Sequence, residues 1–257
     1  MIKSYRKRFG QHFLIDQAVL EQIVMAIGIA ENDCLIEIGP GRGALTHWLL
    51  PLAKQLDVIE IDRDLVNYLQ RHYGHFQQLT IHNADVLHFD WGSLLTSGKR
   101  RVVGNLPYNI TTPLLFKLFE WSAFIQDLHF LLQKEVVERL TAPAGSPHYS
   151  RLSVMAQYHA QLTLLFTVGP EAFSPPPRVE SALVRIVPWT PPIQAQDFTL
   201  FANVVKEAFS HRRKTIANSL RKLITIDALN RLNIDPQSRP QQITVENFVK
   251  ISNMFVV

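Results

Sequence analysis

Hydrophobic positions in the first 190 residues switch repeatedly between two periods. Cys34-Leu-Ile-Glu-Ile38 is a short apolar run that ends in a glycine-rich stretch. Leu45, Trp48, Leu49 and Leu52 then recur at helical spacing. A second strand is predicted at Leu56-Asp-Val-Ile-Glu-Ile61, followed by a charged helix over about 62–73. Further strands are predicted at 79–82, 101–105 and 128–132, with helices at about 112–121 and 133–141 between and after them. Strand and helix alternating through short connections predicts an α/β fold with a mainly parallel sheet and helices on both faces. Two later β-rich runs, 161–168 and 181–187, are spaced to pair at the sheet edge across a proline-containing loop.

The pattern changes near Val187-Pro-Trp-Thr-Pro-Pro-Ile193, where closely spaced prolines stop regular structure. Beyond it only helical patterns recur. Ile216, Leu220, Leu223 and Ile224 share one helical face, with Lys214, Asn218, Arg221 and Lys222 on another. Two domains are therefore expected: an α/β domain over 1–190, opening with a basic segment at 1–15, and a small all-helical domain over 191–257.

The net charge of +4 over 257 residues says little until it is divided. Residues 1–15 carry Lys3, Arg6, Lys7 and Arg8 with no acid; residues 206–222 carry six basic residues against Glu207 alone. These segments hold +9 together, which leaves −5 on the rest. A weakly acidic body with two basic patches suits a polyanionic partner. One cysteine, Cys34, excludes an intrachain disulfide framework and any multi-cysteine metal site and suits a reducing, cytoplasmic compartment. No apolar segment is long enough to span a membrane, and no apolar signal core follows the N-terminal charges.

The chemistry concentrates where strands end. Glu37-Ile-Gly-Pro-Gly-Arg-Gly43 lies between a strand and a helix, where glycines allow close backbone approach to a ligand. Ala44 breaks the dinucleotide fingerprint, and no Gly-Lys-Ser/Thr follows to make a P-loop. Glu60 ends the next strand, about 20 residues on, where an acid can accept from ribose hydroxyls. Asp85 follows the third strand at the same edge and is placed to accept from an adenine amino group. This set fits S-adenosylmethionine better than a nicotinamide dinucleotide, because no second glycine-rich half is visible.

After the fourth strand comes Asn105-Leu-Pro-Tyr108, which resembles the motif of enzymes that methylate exocyclic amines of bases. An adenine amino group is a poor nucleophile, since its lone pair is delocalised into the ring. The Asn105 side-chain oxygen and the Leu106 carbonyl can each accept one of its hydrogens and aim the lone pair at a methyl donor. Tyr108 offers a flat face for an extruded base. Phe173-Ser-Pro-Pro-Pro-Arg178 is a stiff loop that can present Phe173 to the other face of that base, or bury it as a packing residue. His12, in Lys7-Arg-Phe-Gly-Gln-His-Phe-Leu14, has no companion at metal-ligand spacing, and methyl transfer to an amine needs no metal. Phe9, Phe13 and Leu14 argue that this basic segment packs on a surface rather than fraying.

Taken together, these residues resemble the bacterial small-subunit ribosomal RNA adenine dimethyltransferases. Matching segments span nearly the whole chain: Glu37-Ile-Gly-Pro-Gly, Val58-Ile-Glu-Ile-Asp62, Gly104-Asn-Leu-Pro-Tyr-Asn-Ile110, Leu132-Gln-Lys-Glu-Val136, Arg151-Leu-Ser-Val154, Phe173-Ser-Pro-Pro-Pro-Arg-Val179 and His211-Arg-Arg-Lys-Thr215. The resemblance implies a Rossmann-like methyltransferase domain with a helical C-terminal domain. It implies transfer of methyl groups from S-adenosylmethionine to N6 of two adjacent adenosines, two on each, in a hairpin loop near the 3′ end of 16S ribosomal RNA. The implied substrate is a small-subunit (30S) assembly particle, and a monomer is expected because that substrate is itself large. Cofactor contacts carry over to His12, Leu14, Gly39, Glu60, Asp85 and Asn105, and target-base contacts to Asn105, Leu106, Tyr108 and Phe173. RNA contacts are expected at Arg6, Lys7, Arg8, Arg212, Arg213, Lys214, Arg221 and Lys222. A non-catalytic assembly factor and a 23S-RNA or DNA adenine methyltransferase of the same fold are the competing readings. The intact loop, Glu60, Asp85 and Asn105 argue against the first. The matches at Arg151–Val154 and His211–Thr215 argue against the 23S-RNA enzyme, and the missing DNA-reading insertion with the full-length match argues against the DNA enzyme.

Overall fold

The computed structural model describes residues 12–95, 98–107 and 109–255. Its strands are β1 (Phe13–Leu14), β2 (Cys34–Ile38), β3 (Gln55–Glu60), β4 (Leu79–Asn83), β5 (Arg100–Asn105), β6 (Ile125–Gln133), β7 (Ala160–Val168), β8 (Phe173–Ser174) and β9 (Ser181–Pro188). The helices are α1 (Gln17–Ile27), α2 (Ala44–Leu49), α3 (Arg63–Tyr73), α4 (Thr111–Phe119), α5 (Lys134–Thr141), α6 (Arg151–His159), α7 (Phe198–Ser210), α8 (Ile216–Ser219), α9 (Ile226–Arg231) and α10 (Val245–Asn253).

The main sheet has seven strands in the order β4-β3-β2-β5-β6-β9-β7. The pairs from β4 through to β6 are parallel, and β9 returns antiparallel to β6. A parallel sheet covered on both faces needs apolar residues on both, which is why β2 is mostly apolar and β3 and β5 carry adjacent apolar pairs, Val58-Ile59 and Val102-Val103, at their centres. Because β2 is flanked by β3 on one side and β5 on the other, the connections diverge there and leave a crevice at the carboxyl ends of the strands.

Local signals set the helix limits. Asp16 caps α1 by accepting from the Ala18 and Val19 amides, and Gly28 ends it in the left-handed conformation. Leu20, Ile23 and Ile27 then bury one face of α1. Asp62 caps α3 in the same way, accepting from the Asp64 amide. The buried Arg101 ties α1 to the sheet. It makes a two-pronged pair with Asp127, with Nε to Oδ1 at 2.8 Å and Nη2 to Oδ2 at 2.9 Å. It also reaches Asp33 and the Ile27 and Gly28 carbonyls at the end of α1.

The chain forms two compact units, one of them the described residues up to Val137 with Thr163–Pro188, the other Glu138–Leu162 with Trp189–Val257. The expected division at 190 thus misses an excursion: α6 packs on α7 and α10 and belongs with them. The reason is α6's buried Val154, Met155 and Ala156, which need the helical core formed by residues such as Phe201, Val204 and Phe248. In that unit the expected long amphipathic helix through 216–224 is also shorter, since α8 stops at Ser219. Ile216, Leu220 and Ile224 are buried, but the turns after Ser219 leave Leu223 exposed.

Candidate active site

The glycine-rich loop turns from β2 into α2 with Gly39, Gly41 and Gly43 all at positive φ. Gly41 must also lack a side chain, because a Cβ there would stand 2.9 Å from the Phe13 ring. Behind the loop, Glu37 is buried and its Oε2 accepts from Thr46 Oγ1 at 2.6 Å. Burial pushes its pKa up to about 7, with the Thr46 hydrogen bond opposing and Glu60 adding to the rise.

Glu60, at the end of β3, is 4% exposed, and its carboxylate is aimed by the backbone. Oε2 accepts from the Gly41 amide at 3.1 Å and Oε1 from the Asp62 amide at 2.9 Å. Burial raises its pKa, against the pull of these N–H groups. Asp85 lies after β4, half-buried, with Oδ1 accepting from the Leu87 amide at 2.9 Å and Oδ2 beside His88 Nδ1 at 3.0 Å. The Leu87 hydrogen bond holds its pKa down, helped by His88 and by the Lys117 charge. Lys117 Nζ also donates to the Leu87 carbonyl and fixes the same loop.

Asn105 is the last residue of β5. Its Nδ2 donates to the His12 carbonyl at 3.0 Å, which leaves Oδ1 as the acceptor end of the amide. Leu106 is buried, and its amide donates to the Leu131 carbonyl at 3.2 Å. Gly104 permits this arrangement. A Cβ at 104 would meet the Ile38 carbonyl oxygen at 2.7 Å, so only glycine lets β5 lie this close to the end of β2.

Phe173 is buried in β8, opposite Leu14 in β1, and belongs to the core beside Leu14, Leu131 and Leu183. It still borders the cavity, so the stiff loop seats this ring through strand pairing rather than holding it free. His12 Nδ1 lies 2.7 Å from the Pro175 carbonyl, and because a carbonyl only accepts, that nitrogen carries the proton.

Glu37, Gly39, Glu60, Asp85, Asn105 and Phe173 all line one cavity of about 930 Å³, together with His12, Leu14 and Leu106. Two lining residues carry no sequence signal. Ile61 is an exposed apolar residue at the rim, next to Glu60. His129 sits in the middle of β6, fully buried, with both ring nitrogens lacking a hydrogen-bond partner. Burial pushes its pKa down to about 4, so it is neutral, and neutrality is what allows a polar residue to replace an aliphatic one inside an apolar strand.

Tyr108, Arg6, Lys7 and Arg8 lie outside the described residues. Arg213, Lys214, Arg221 and Lys222 are exposed. Arg212 is exposed too, yet its Nη2 donates to the Pro147 carbonyl at 2.6 Å and to that of Tyr149 at 3.3 Å, so part of its guanidinium already serves the fold. Among the described residues no group of three or more His, Cys, Asp or Glu is placed to hold a metal ion. No helix among them is long and apolar enough to cross a membrane.

A cavity at a strand-order switch, with acids after two strands and Asn-Leu-Pro after a third, has counterparts among known proteins. A ribosomal RNA small subunit methyltransferase A from Coxiella burnetii is 57% identical over 252 residues, covering 97% of each chain. That of Pseudomonas aeruginosa is 50% identical over 250 residues, covering 96% of this chain and 93% of its own. The crystal structure of a dimethyladenosine transferase from Plasmodium falciparum matches with a TM-score of 0.79 at 26% identity, covering 93% of this chain and 96% of that one. The 23S rRNA methyltransferase ErmE shares the fold, with a TM-score of 0.75 at 24% identity over 93% of this chain and 98% of its own. The model of one family, described as ribosomal RNA adenine dimethylase, matches residues 2–256, and the chain belongs to that family.

Proposed function

We propose that this protein transfers methyl groups from S-adenosylmethionine to N6 of adenosines in small-subunit ribosomal RNA. The observation that carries this reading is the position of Asn105: it opens into the same cavity as Glu60 and Asp85 with its amide oxygen left as an acceptor. An amine donates, so an acceptor at the end of β5 suits it, and the adjoining Leu106 carbonyl would take the second hydrogen. Glu60 would accept from the ribose hydroxyls of the cofactor and Asp85 from its adenine amino group. Gly39 and Gly41 let the backbone approach it, since a side chain at 41 would already collide with Phe13. The cofactor supplies a sulfonium methyl; the chain supplies the orientation of the amine.

The small-subunit relatives at 50–57% identity support this substrate over the large-subunit one, because the likeness to ErmE is one of fold. We further read the substrate as two adjacent adenosines near the 3′ end of 16S RNA, presented in a 30S assembly particle to a monomeric enzyme. Phe173, with Tyr108, would border the extruded base. Arg213, Lys214, Arg221 and Lys222 would contact phosphate along with Arg6, Lys7 and Arg8, and Arg212 would contribute what its backbone bonds leave.

The test is incubation with labelled S-adenosylmethionine and under-methylated small subunits, with the label then mapped. Two adjacent N6-dimethyladenosines near the 3′ end are expected. Asn105→Ala is expected to cut turnover by several orders of magnitude, to a small rate still measurable with label, while cofactor affinity falls far less. Label in large-subunit RNA, or full turnover by Asn105→Ala, refutes the reading.

A further inference from the structure

We infer that the short strand Phe13–Leu14 is a clamp that sets which way the Asn105 amide faces, with the His12 carbonyl as its acting group. This deepens the functional reading above and rests on it. A primary amide has two ends of nearly the same shape and opposite hydrogen-bonding sense. Only one orientation serves an amine substrate, because the other sets an N–H₂ group against an N–H₂ group. In the structure the choice is made from outside β5. The His12 carbonyl accepts from Nδ2 at 3.0 Å, and a flipped amide would set oxygen against oxygen there.

A carbonyl can impose that choice only if it is itself held, and this one is held from several directions. Phe13 and Leu14 pair antiparallel with Ser174 and Phe173. The Ile15 amide donates to the Ala172 carbonyl at 2.9 Å. The His12 ring donates through Nδ1 to the Pro175 carbonyl at 2.7 Å. On the other side, Phe13 packs against Gly41, and the Arg42 guanidinium carbon stands 5.5 Å from its ring centroid. The clamp therefore joins the proline-rich segment, the glycine-rich loop and the Asn-Leu-Pro turn. It assigns His12 the work of a positioning residue that acts through its main chain.

The test measures turnover on under-methylated small subunits and, separately, cofactor affinity by calorimetry. His12→Ala removes the ring that fastens the carbonyl to Pro175. It is expected to lower kcat about tenfold, the size of one lost orienting hydrogen bond, while cofactor Kd, to which the cavity-lining His12 can also contribute, rises by a clearly smaller factor. His12→Asn, which keeps a side-chain N–H donor, is expected to recover most of kcat. In an Asn105→Ala background, His12→Ala is expected to change nothing further. An unchanged kcat in His12→Ala, an equal rise in cofactor Kd, equal losses in both Asn105 backgrounds, or no recovery in His12→Asn would each overturn the clamp. Wild-type turnover in Asn105→Ala alone overturns the functional reading beneath it, and so is distinguishable.

Discussion

Glu37 links the cavity to stability in a way that one substitution can expose. The carboxyl is 2% exposed, bonded to Thr46, and faces a second acid, Glu60. In the folded state its pKa stands at about 7, against an ordinary value of 4.5. At about 1.4 kcal/mol for each tenfold change in proton affinity, that gap corresponds to about 3 kcal/mol. The direction follows from which form the fold prefers. A raised carboxyl pKa means the folded state favours the protonated group, so its contribution is complete below the ordinary value and is lost as pH rises through about 7. Glu37→Gln never ionises, and its amide oxygen still accepts from Thr46. Relative to the unsubstituted protein, the variant should therefore differ little at about pH 4 and gain about 3 kcal/mol by about pH 8.5. Urea unfolding of cofactor-free protein, followed by circular dichroism across this range, measures the difference. A difference that stays flat with pH, or a variant that loses stability at the alkaline end, refutes a buried carboxyl in an unfavourable charge state.

Other expectations follow from the same geometry. Arg101→Met leaves Asp127 buried and strips two carbonyls at the end of α1, so urea unfolding should show a loss of about 3–5 kcal/mol. If Asp127→Asn in the same background restores none of it, the loss does not come from the stranded charge. Gly104→Ala drives a Cβ into the Ile38 carbonyl, and thermal melting should report about 1–3 kcal/mol or more of destabilisation, with turnover falling because Asn105 is the next residue. Replacing Arg213 and Lys214 with glutamine should reduce the salt dependence of RNA binding by about one unit of log–log slope for each phosphate no longer neutralised. An unchanged slope makes this stretch a solvated surface.

The parallel strands were the most legible part of the fold, because strands covered on both faces leave short apolar clusters at regular intervals along the chain. Cys34–Ile38 agrees with its predicted limits, and β3, β4 and β5 differ by a residue at one end or both. β6 is longer than its predicted run, 125–133 against 128–132, because Gln126 and Asp127 interrupt the pattern at its start, and it keeps a polar His129 within the run. Asp127 is tolerated by virtue of Arg101, and His129 by staying neutral; both reasons lie on other strands or in the degree of burial, where periodicity cannot see them. The helix α1 was not among the expected elements, although Asp16 and Gly28 bracket it and Leu20, Ile23 and Ile27 mark its buried face at helical spacing. α6 was legible only as a family motif. Its place in the helical unit depends on Phe201 and Phe248, distant in sequence.

The site divides along a similar line. The residues that line the cavity were legible by type, because a strand-order switch gathers the carboxyl ends of parallel strands at one edge, where the chain carries a glycine-rich loop after β2, Glu60 and Asn105 ending β3 and β5, and Asp85 after β4. Their orientation was not, because it comes from backbone groups. The Gly41 and Asp62 amides aim Glu60, the Leu87 amide aims Asp85, and the His12 carbonyl aims Asn105. The strand that delivers that last carbonyl is two residues long and pairs with a segment some 160 positions away, too short for any period and too distant for any spacing rule. Side-chain identity in this cavity thus sets what can be bound, and main-chain geometry sets which atom faces it. Substitutions at His12 or Gly104, neither of which need touch the target amine, should consequently impair turnover through Asn105 rather than through affinity for the cofactor.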